Sequence, residues 1–210
     1  MMEGQRLARA SLSELKTDIE KVNFLTQFSK HDRTFFSGPV ECYTKFGITP
    51  AEVEYSITEH NFRIVCLKEE LKEFKEAREA NNVEEQIDAI VDLLFFAIGT
   101  AYRANILPNV ILEYPSVNTS NSQDIINSIR PENGVTVDDA VFYFLNEEIE
   151  CLEYSGGIDQ ESIIKIISFC ILYLHYKWDK KMINEYYGRV TAANISKELG
   201  SLPKRGDFAL

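Results

Sequence analysis

Apolar residues in this chain recur at helical spacing, and no segment alternates apolar and polar residues long enough to call for a sheet. Ser11-x-x-Glu14 is a capping-box start for a helix running to about Ser29. A loop over 31–39 and a short helix over 40–46, stopped by Gly47, follow. Thr49-Pro50-x-Glu52 combines an N-cap, a proline at the first helical position and a capping glutamate. Ser56-x-x-Glu59 opens a long helix to about Asn81, and Asn82-x-x-Glu85 opens the next, to about Ala104. Pro108, Pro115, Pro131 and Ser/Asn clusters make 107–133 mostly linker, with one helix near 123–129. Helices are predicted over 136–154, stopped by Gly156-Gly157, from the cap Asp159 to about Trp178, and over 180–199. The fold class is all-α.

One stretch resembles another. Leu67-Lys-Glu-Glu-Leu-Lys-Glu-Phe lies over Leu145-Asn-Glu-Glu-Ile-Glu-Cys-Leu, and each copy is followed by a very apolar helix, 87–102 and then 163–178. The second copy has Cys151 where the first has Glu73, and no carboxylate matching Asp88 or Asp92. This is either a degenerate duplicate of one helical hairpin or the ordinary likeness of any two helix pairs.

The composition is that of a globular chain large enough to bury its own core: 210 residues, 45% hydrophobic and 26% charged. Its net charge of −11 argues against nucleic acid or an anionic membrane as partner, though not against a small anionic substrate reached through metal ions. Cys42, Cys66, Cys151 and Cys170 show no paired spacing, and three lie in apolar helical patterns, so reduced thiols and a reducing cytoplasm are expected. The first residues lack the apolar region of a signal peptide, and the longest apolar runs, 90–101 and 166–176, are too short to span a bilayer.

Candidate chemistry sits on two consecutive helices. Over 61–80, Ile64, Leu67, Leu71 and Phe74 form a core stripe flanked by Glu69, Glu70 and Glu73. Alone, such a charge run is a solvated acidic face. The next helix changes the reading: from 87 to 101 every residue is apolar, Gly or Thr, except Asp88 and Asp92. A helix apolar all round is buried, and buried unpaired aspartates cost several kcal/mol (roughly 2–7 for a polar group), so they are paired or bind a cation. No Lys or Arg lies on their face between Glu85 and Tyr102. Joined by a short turn, the two helices form an antiparallel hairpin that sets the glutamates against the aspartates. Oxygen-only donors favour Mg²⁺ or Mn²⁺ over zinc, and His31, His60 and His175 are not spaced for a di-iron site.

Arg63-x-x-Cys-Leu-x-Glu69-Glu70-x-x-Glu73, followed by Asp88-Ala-x-x-Asp92-Leu-Leu-Phe-x-x-x-Gly99-Thr-Ala, resembles the MazG-like all-α nucleoside triphosphate pyrophosphatase superfamily, in particular phosphoribosyl-ATP pyrophosphohydrolase-like members often carried by phages. Val190-Thr-Ala-Ala-Asn194-Ile-Ser-Lys197, then Lys204-Arg205-Gly206, resembles that group's second motif and basic tail. The resemblance implies a MazG-like helical bundle. Its parts would be an N-terminal helical extension (1–37), the catalytic hairpin (38–106), a helical insert or degenerate repeat (107–178), and a C-terminal helix and basic tail completing the site (179–210). It implies hydrolysis of a nucleoside triphosphate to monophosphate and pyrophosphate. Glu70, Glu73, Asp88 and Asp92 would hold Mg²⁺ (Mn²⁺ in its place), and Glu69 would orient or deprotonate the attacking water. Arg63, Asn194, Lys197, Lys204 and Arg205 would touch phosphates or sugar.

In that family the second acidic motif is Glu-x-x-Asp. Here Ala89 stands in the glutamate's place if Asp92 is the aspartate, with Asp88 substituting; Glu85 is the partner if Asp88 is the aspartate. The insert leaves open whether the chain forms a homodimer or larger assembly, or a pseudo-dimer within itself. The expected setting is the cytoplasm, a host's if a phage encodes it. Three functions stay open: a Mg²⁺-dependent nucleotide pyrophosphohydrolase, phosphoribosyl-ATP hydrolysis, and a non-enzymatic helical interaction protein.

Overall fold

The computed structural model describes residues 33–50, 55–113 and 136–196. Among them the chain is built of seven helices with no strand: α1 Arg33–Lys45, α2 Ile57–Glu79, α3 Val83–Arg103, α4 Leu107–Glu113, α5 Val137–Tyr154, α6 Gln160–Lys177 and α7 Lys180–Ser196. The expected helices at 11–29 and 123–129 lie outside the described residues. No helix among those described is long and apolar enough to cross a membrane.

The long helices start where the local chemistry places them. The Ser56 side chain accepts from the Glu59 N–H, and the Asn82 side chain from the Glu85 N–H, each filling a donor that a helix start leaves open. Between them Asn81 turns the chain at φ 52°, a conformation asparagine tolerates. Thr136 and Asp139 form a capping box at the head of α5, and Asp159 caps α6.

Two helices depart from expectation. The predicted loop over 31–39 is helical from Arg33, with Pro39 inside α1. A proline there has no N–H for the carbonyl four residues back, which is that of Phe35. The buried Tyr187 hydroxyl, reaching in from α7, donates to that carbonyl. The bond is 152 residues away in sequence, so no local pattern predicts it. Likewise 107–113, expected as linker, forms the short helix α4, which tolerates Pro108 in its first turn because the N–H groups there have no intrahelical partner.

Helix α3 is the centre. It packs against α1, α2, α4, α6 and α7. From Ile87 to Tyr102 only Asp88, Asp92 and Phe96 are less than fully buried. Helices α2 and α3 form one antiparallel hairpin and α5 and α6 a second, with α2 laid on α5 and α3 on α6. One end of this four-helix bundle is tied by a polar network. Arg78 of α2 bonds Asp139 and the Asp138 carbonyl of α5. Lys177 of α6 bonds Asp138 at 2.5 Å, Gln86 of α3 at 2.7 Å and Tyr173 at 2.9 Å. All four cysteines are free thiols; three are buried and Cys151 is exposed.

Tyr187→Phe keeps the ring and removes the donor to Phe35. It is expected to destabilise the protein by about 1–3 kcal/mol, the cost of a buried carbonyl left unpaired. The loss should shrink in a Pro39→Ala background, where the backbone regains its own donor. Urea unfolding of the two single variants and the double variant measures this, and a loss of the same size in both backgrounds would refute the coupling.

Candidate active site

Positions 59, 63, 66, 70 and 73 lie on one face of α2, and this face looks onto α3. Its far half is acidic. Glu69 and Glu73 are exposed, Glu70 is half-buried, and Asp88 and Asp92 of α3 are half-buried. The Glu70 carboxyl is pushed up to about 8 from its ordinary 4.5. Burial is the largest cause, followed by the negative charges of Asp92, Glu73, Glu69 and Asp88. Five carboxyl groups are thus brought within electrostatic reach of one another. The ion pairs of this helix's lysines run elsewhere: Lys68 to Glu153, Lys72 to Glu76 and Lys75 to Glu79. Among the described residues none of these ion pairs reaches Glu70.

The five groups are neighbours rather than a closed cage. Among the described residues no group of three or more His, Cys, Asp and Glu side chains stands ready to hold a metal ion. Like charges repel, so gathering them carries an electrostatic cost. The donor set is all oxygen, which suits Mg²⁺ or Mn²⁺. The half-buried Glu70, resisting ionisation among four other acids, is the group that a bound cation would relieve. The residues therefore fit such an ion. Glu85, the alternative partner, is exposed in the first turn of α3.

The near half of the same face is closed. Arg63 is buried, with 5% exposure. Its Nη1 donates to the Tyr43 hydroxyl, its Nη2 lies 3.9 Å from Glu59, and its guanidinium rides 5.0 Å from the centre of the Tyr43 ring. Arg103 closes on the same Glu59 at 2.7 Å. Arg63, expected at the substrate, is thus engaged with α1 and its own helix. Its Nε is buried without a hydrogen-bond partner among the described residues. Between Arg63 and Glu70, the buried Cys66 thiol is pushed up to about 11, chiefly by burial.

Tyr43 escaped the sequence reading. It stacks on Tyr102 at 5.8 Å and covers Gly99, where a Cβ would collide with its ring. The signal was Gly99 itself, a residue with no side chain in an otherwise apolar helix, which marks a close approach of another element. Of the C-terminal candidates, Asn194 alone lies among the described residues. Asn194 sits in the last turn of α7, half-buried, donating to the Val190 carbonyl at 3.0 Å. Lys197, Lys204 and Arg205 lie outside the described residues. Close to Asn194 is a half-open cleft of ≈ 560 Å³ between the end of α1 and α7, lined by Lys45, Tyr187, Thr191 and Ile195 among others.

Residues 47–116 match the family model described as phosphoribosyl-ATP pyrophosphohydrolase, consistent with the MazG-like pyrophosphohydrolase superfamily. The matched segment contains α2, α3 and all five carboxylates. No curated protein and no solved structure matches the chain. The family match supports a nucleotide pyrophosphohydrolase, a hydrolase with a nucleotide substrate.

The Glu70 environment has a sign in pH. Its folded value lies above its unfolded one, so its contribution to stability is complete below about pH 4.5 and is lost as pH rises through about 8. In cation-free buffer, Glu70→Gln should therefore flatten the fall of melting temperature between pH 5 and pH 8.5. Parallel profiles for the two proteins would contradict the crowding of charge at Glu70.

Proposed function

We propose that the chain hydrolyses a nucleoside triphosphate, ribo- or deoxyribo-, between its α and β phosphates, using Mg²⁺, with Mn²⁺ as the substitute. The observation that carries this reading is Glu70, a half-buried carboxyl on α2 gathered with Asp88 and Asp92 of α3 and pushed up to about 8, first by burial and then by the charges of its four acidic neighbours. Such an arrangement stabilises no fold on its own account and suits a cation and the phosphates it brings.

In this reading Glu70, Glu73, Asp88 and Asp92 supply the oxygens that hold the metal. The bound ion would screen the polyphosphate from the protein's −11 charge, acidify a water and stabilise the leaving pyrophosphate. Glu69, exposed at the edge of the cluster, orients the attacking water and takes its proton. The water oxygen bonds to the α phosphorus, the bond to the bridging oxygen breaks, and the electron pair leaves with pyrophosphate. Asn194, Lys197, Lys204 and Arg205 donate to phosphate or sugar. Arg63 joins them only by giving up its bond to Tyr43. The setting would be the cytoplasm, a host's for a phage-borne protein.

A second substrate, phosphoribosyl-ATP, is favoured by one specific observation, the description of the family that matches residues 47–116. The chemistry is the same, and only the group beyond the α phosphate differs.

Pyrophosphate release, measured across canonical NTPs and dNTPs and phosphoribosyl-ATP with Mg²⁺, Mn²⁺ or EDTA, tests the proposal and ranks the substrates. Release should require metal and appear with equimolar monophosphate product. Glu70→Gln and Asp92→Asn should each lower turnover by at least about 100-fold, beyond the roughly 10–100-fold typical of residues one step removed from a metal. Silence across the panel with no detectable Mn²⁺ binding would sink the reading and leave a helical interaction protein.

A further inference from the structure

The Leu-x-Glu-Glu motif lays α2 over α5 with Leu67 on Leu145, and, with two residues fewer between the helices of the second hairpin, α3 lies over α6 with Ile87 on Ile163; the main core positions of the two hairpins then coincide. Leu67 and Leu145 are both fully buried, as are Phe74 and Leu152, Ile87 and Ile163, Ile90 and Ile166, and Leu94 and Cys170. The packing is also like on like: α2 lies on α5, and α3 on α6. Both pairs run antiparallel. His60 near the start of α2 meets the Leu152 carbonyl near the end of α5, while Arg78 near the end of α2 meets Asp138 at the start of α5. Gln86 near the start of α3 meets Lys177 at the end of α6. Like helices packed antiparallel are what a two-fold axis between two copies of one hairpin produces.

The first of these alignments places Glu148 where the first hairpin has Glu70, and the second places Lys165 where it has Ala89 and Ser168 where it has Asp92. Glu148 is as inward-facing as the match requires, with 7% exposure. It differs from Glu70 in having a cation of its own. Lys165 from the facing helix stands 3.2 Å from Glu148, steadied by Glu161 at 3.0 Å. Ser168 is buried with its hydroxyl unpartnered among the described residues, an ill-fitting polar group in a core position.

We infer that α5 and α6 are a silenced copy of the carboxylate hairpin, in which the Lys165 ammonium occupies the place of a divalent cation, so that each chain carries one cation site and supplies its own bundle partner. The role of a cation at Glu70 rests on the function proposed above, whereas the role of Lys165 at Glu148 does not.

The test is a thermal cycle on the full chain with Lys165→Met, Glu148→Gln and both together, each melted with and without Mn²⁺. Lys165→Met should lower the melting temperature by about 4 °C, the scale of roughly 1 kcal/mol in a chain this size. Adding Glu148→Gln should restore most of the loss. Mn²⁺ should raise the melting temperature of Lys165→Met beyond its effect on the parent, and the extra rise should vanish in the double variant. Mn²⁺ titration should give the parent's stoichiometry for Glu148→Gln and a lost site for Glu70→Gln. The inference is overturned if Lys165→Met melts with the parent, if Glu148→Gln does not relieve it, or if Glu148→Gln loses Mn²⁺ as Glu70→Gln does. A parent that binds no Mn²⁺ overturns the proposed function, and the metal-free cycle then decides the role of Lys165.

Discussion

The structure depends on one helix that is buried on nearly every side and nevertheless carries two aspartates. Helix α3 gives the other helices their common surface, because an apolar helix can be satisfied only by covering it all round. Asp88 and Asp92 interrupt that covering on the side facing α2. The cost of placing carboxylates there is lowered by leaving them half-exposed, and their charges add to the burial that pushes the neighbouring Glu70 carboxyl up. The acidic cluster is therefore a consequence of where α3 must sit as much as of what α2 contributes.

The rest of the architecture holds this arrangement in place. The network of Arg78, Gln86, Asp138, Asp139, Tyr173 and Lys177 draws on all four bundle helices and fixes the end of the hairpin nearest its turn. At the other end Tyr43 fills the hollow at Gly99 and binds Arg63. Both devices use charged or aromatic groups where apolar packing alone would leave the hairpin free to slide. The carboxylates lie between them, on a stretch of α2 and α3 that is tied at both ends.

Much of this was legible in the sequence, for a physical reason. Caps are local, so Ser56, Asn82 and Asp159 announced their helices within a turn. Periodicity is local too, and with one short turn it sufficed to bring Glu70 and Asp92 onto facing sides. What escaped were features that depend on distant partners. Pro39 sits within a helix because Tyr187 serves its orphaned carbonyl from the far end of the chain. Arg63 was expected at the substrate, yet the placement of α1 gives it Tyr43. The likeness of the two hairpins did not show that Lys165 stands opposite Glu148.

A buried carboxylate can be tolerated by keeping its proton, by pairing with a cation of the protein, or by taking a cation from solution. Glu148 and Glu70 hold matching places in the two hairpins and divide these choices. The first has Lys165, an ammonium of the protein's own that reaches it from the facing helix. The second is pushed up to about 8, chiefly by burial, so that it tends to keep its proton, and a cation bound there would favour its charged form. On the proposed reading that effect is the link between metal and substrate. A polyphosphate approaching a chain of net charge −11 is opposed by the same negative charge that raises Glu70. One cation relieves both, so metal and nucleotide must each strengthen the binding of the other by the same free energy. On the same reading the acid without a cation of its own makes the first hairpin a site, and the pairing of its counterpart makes the second a wall.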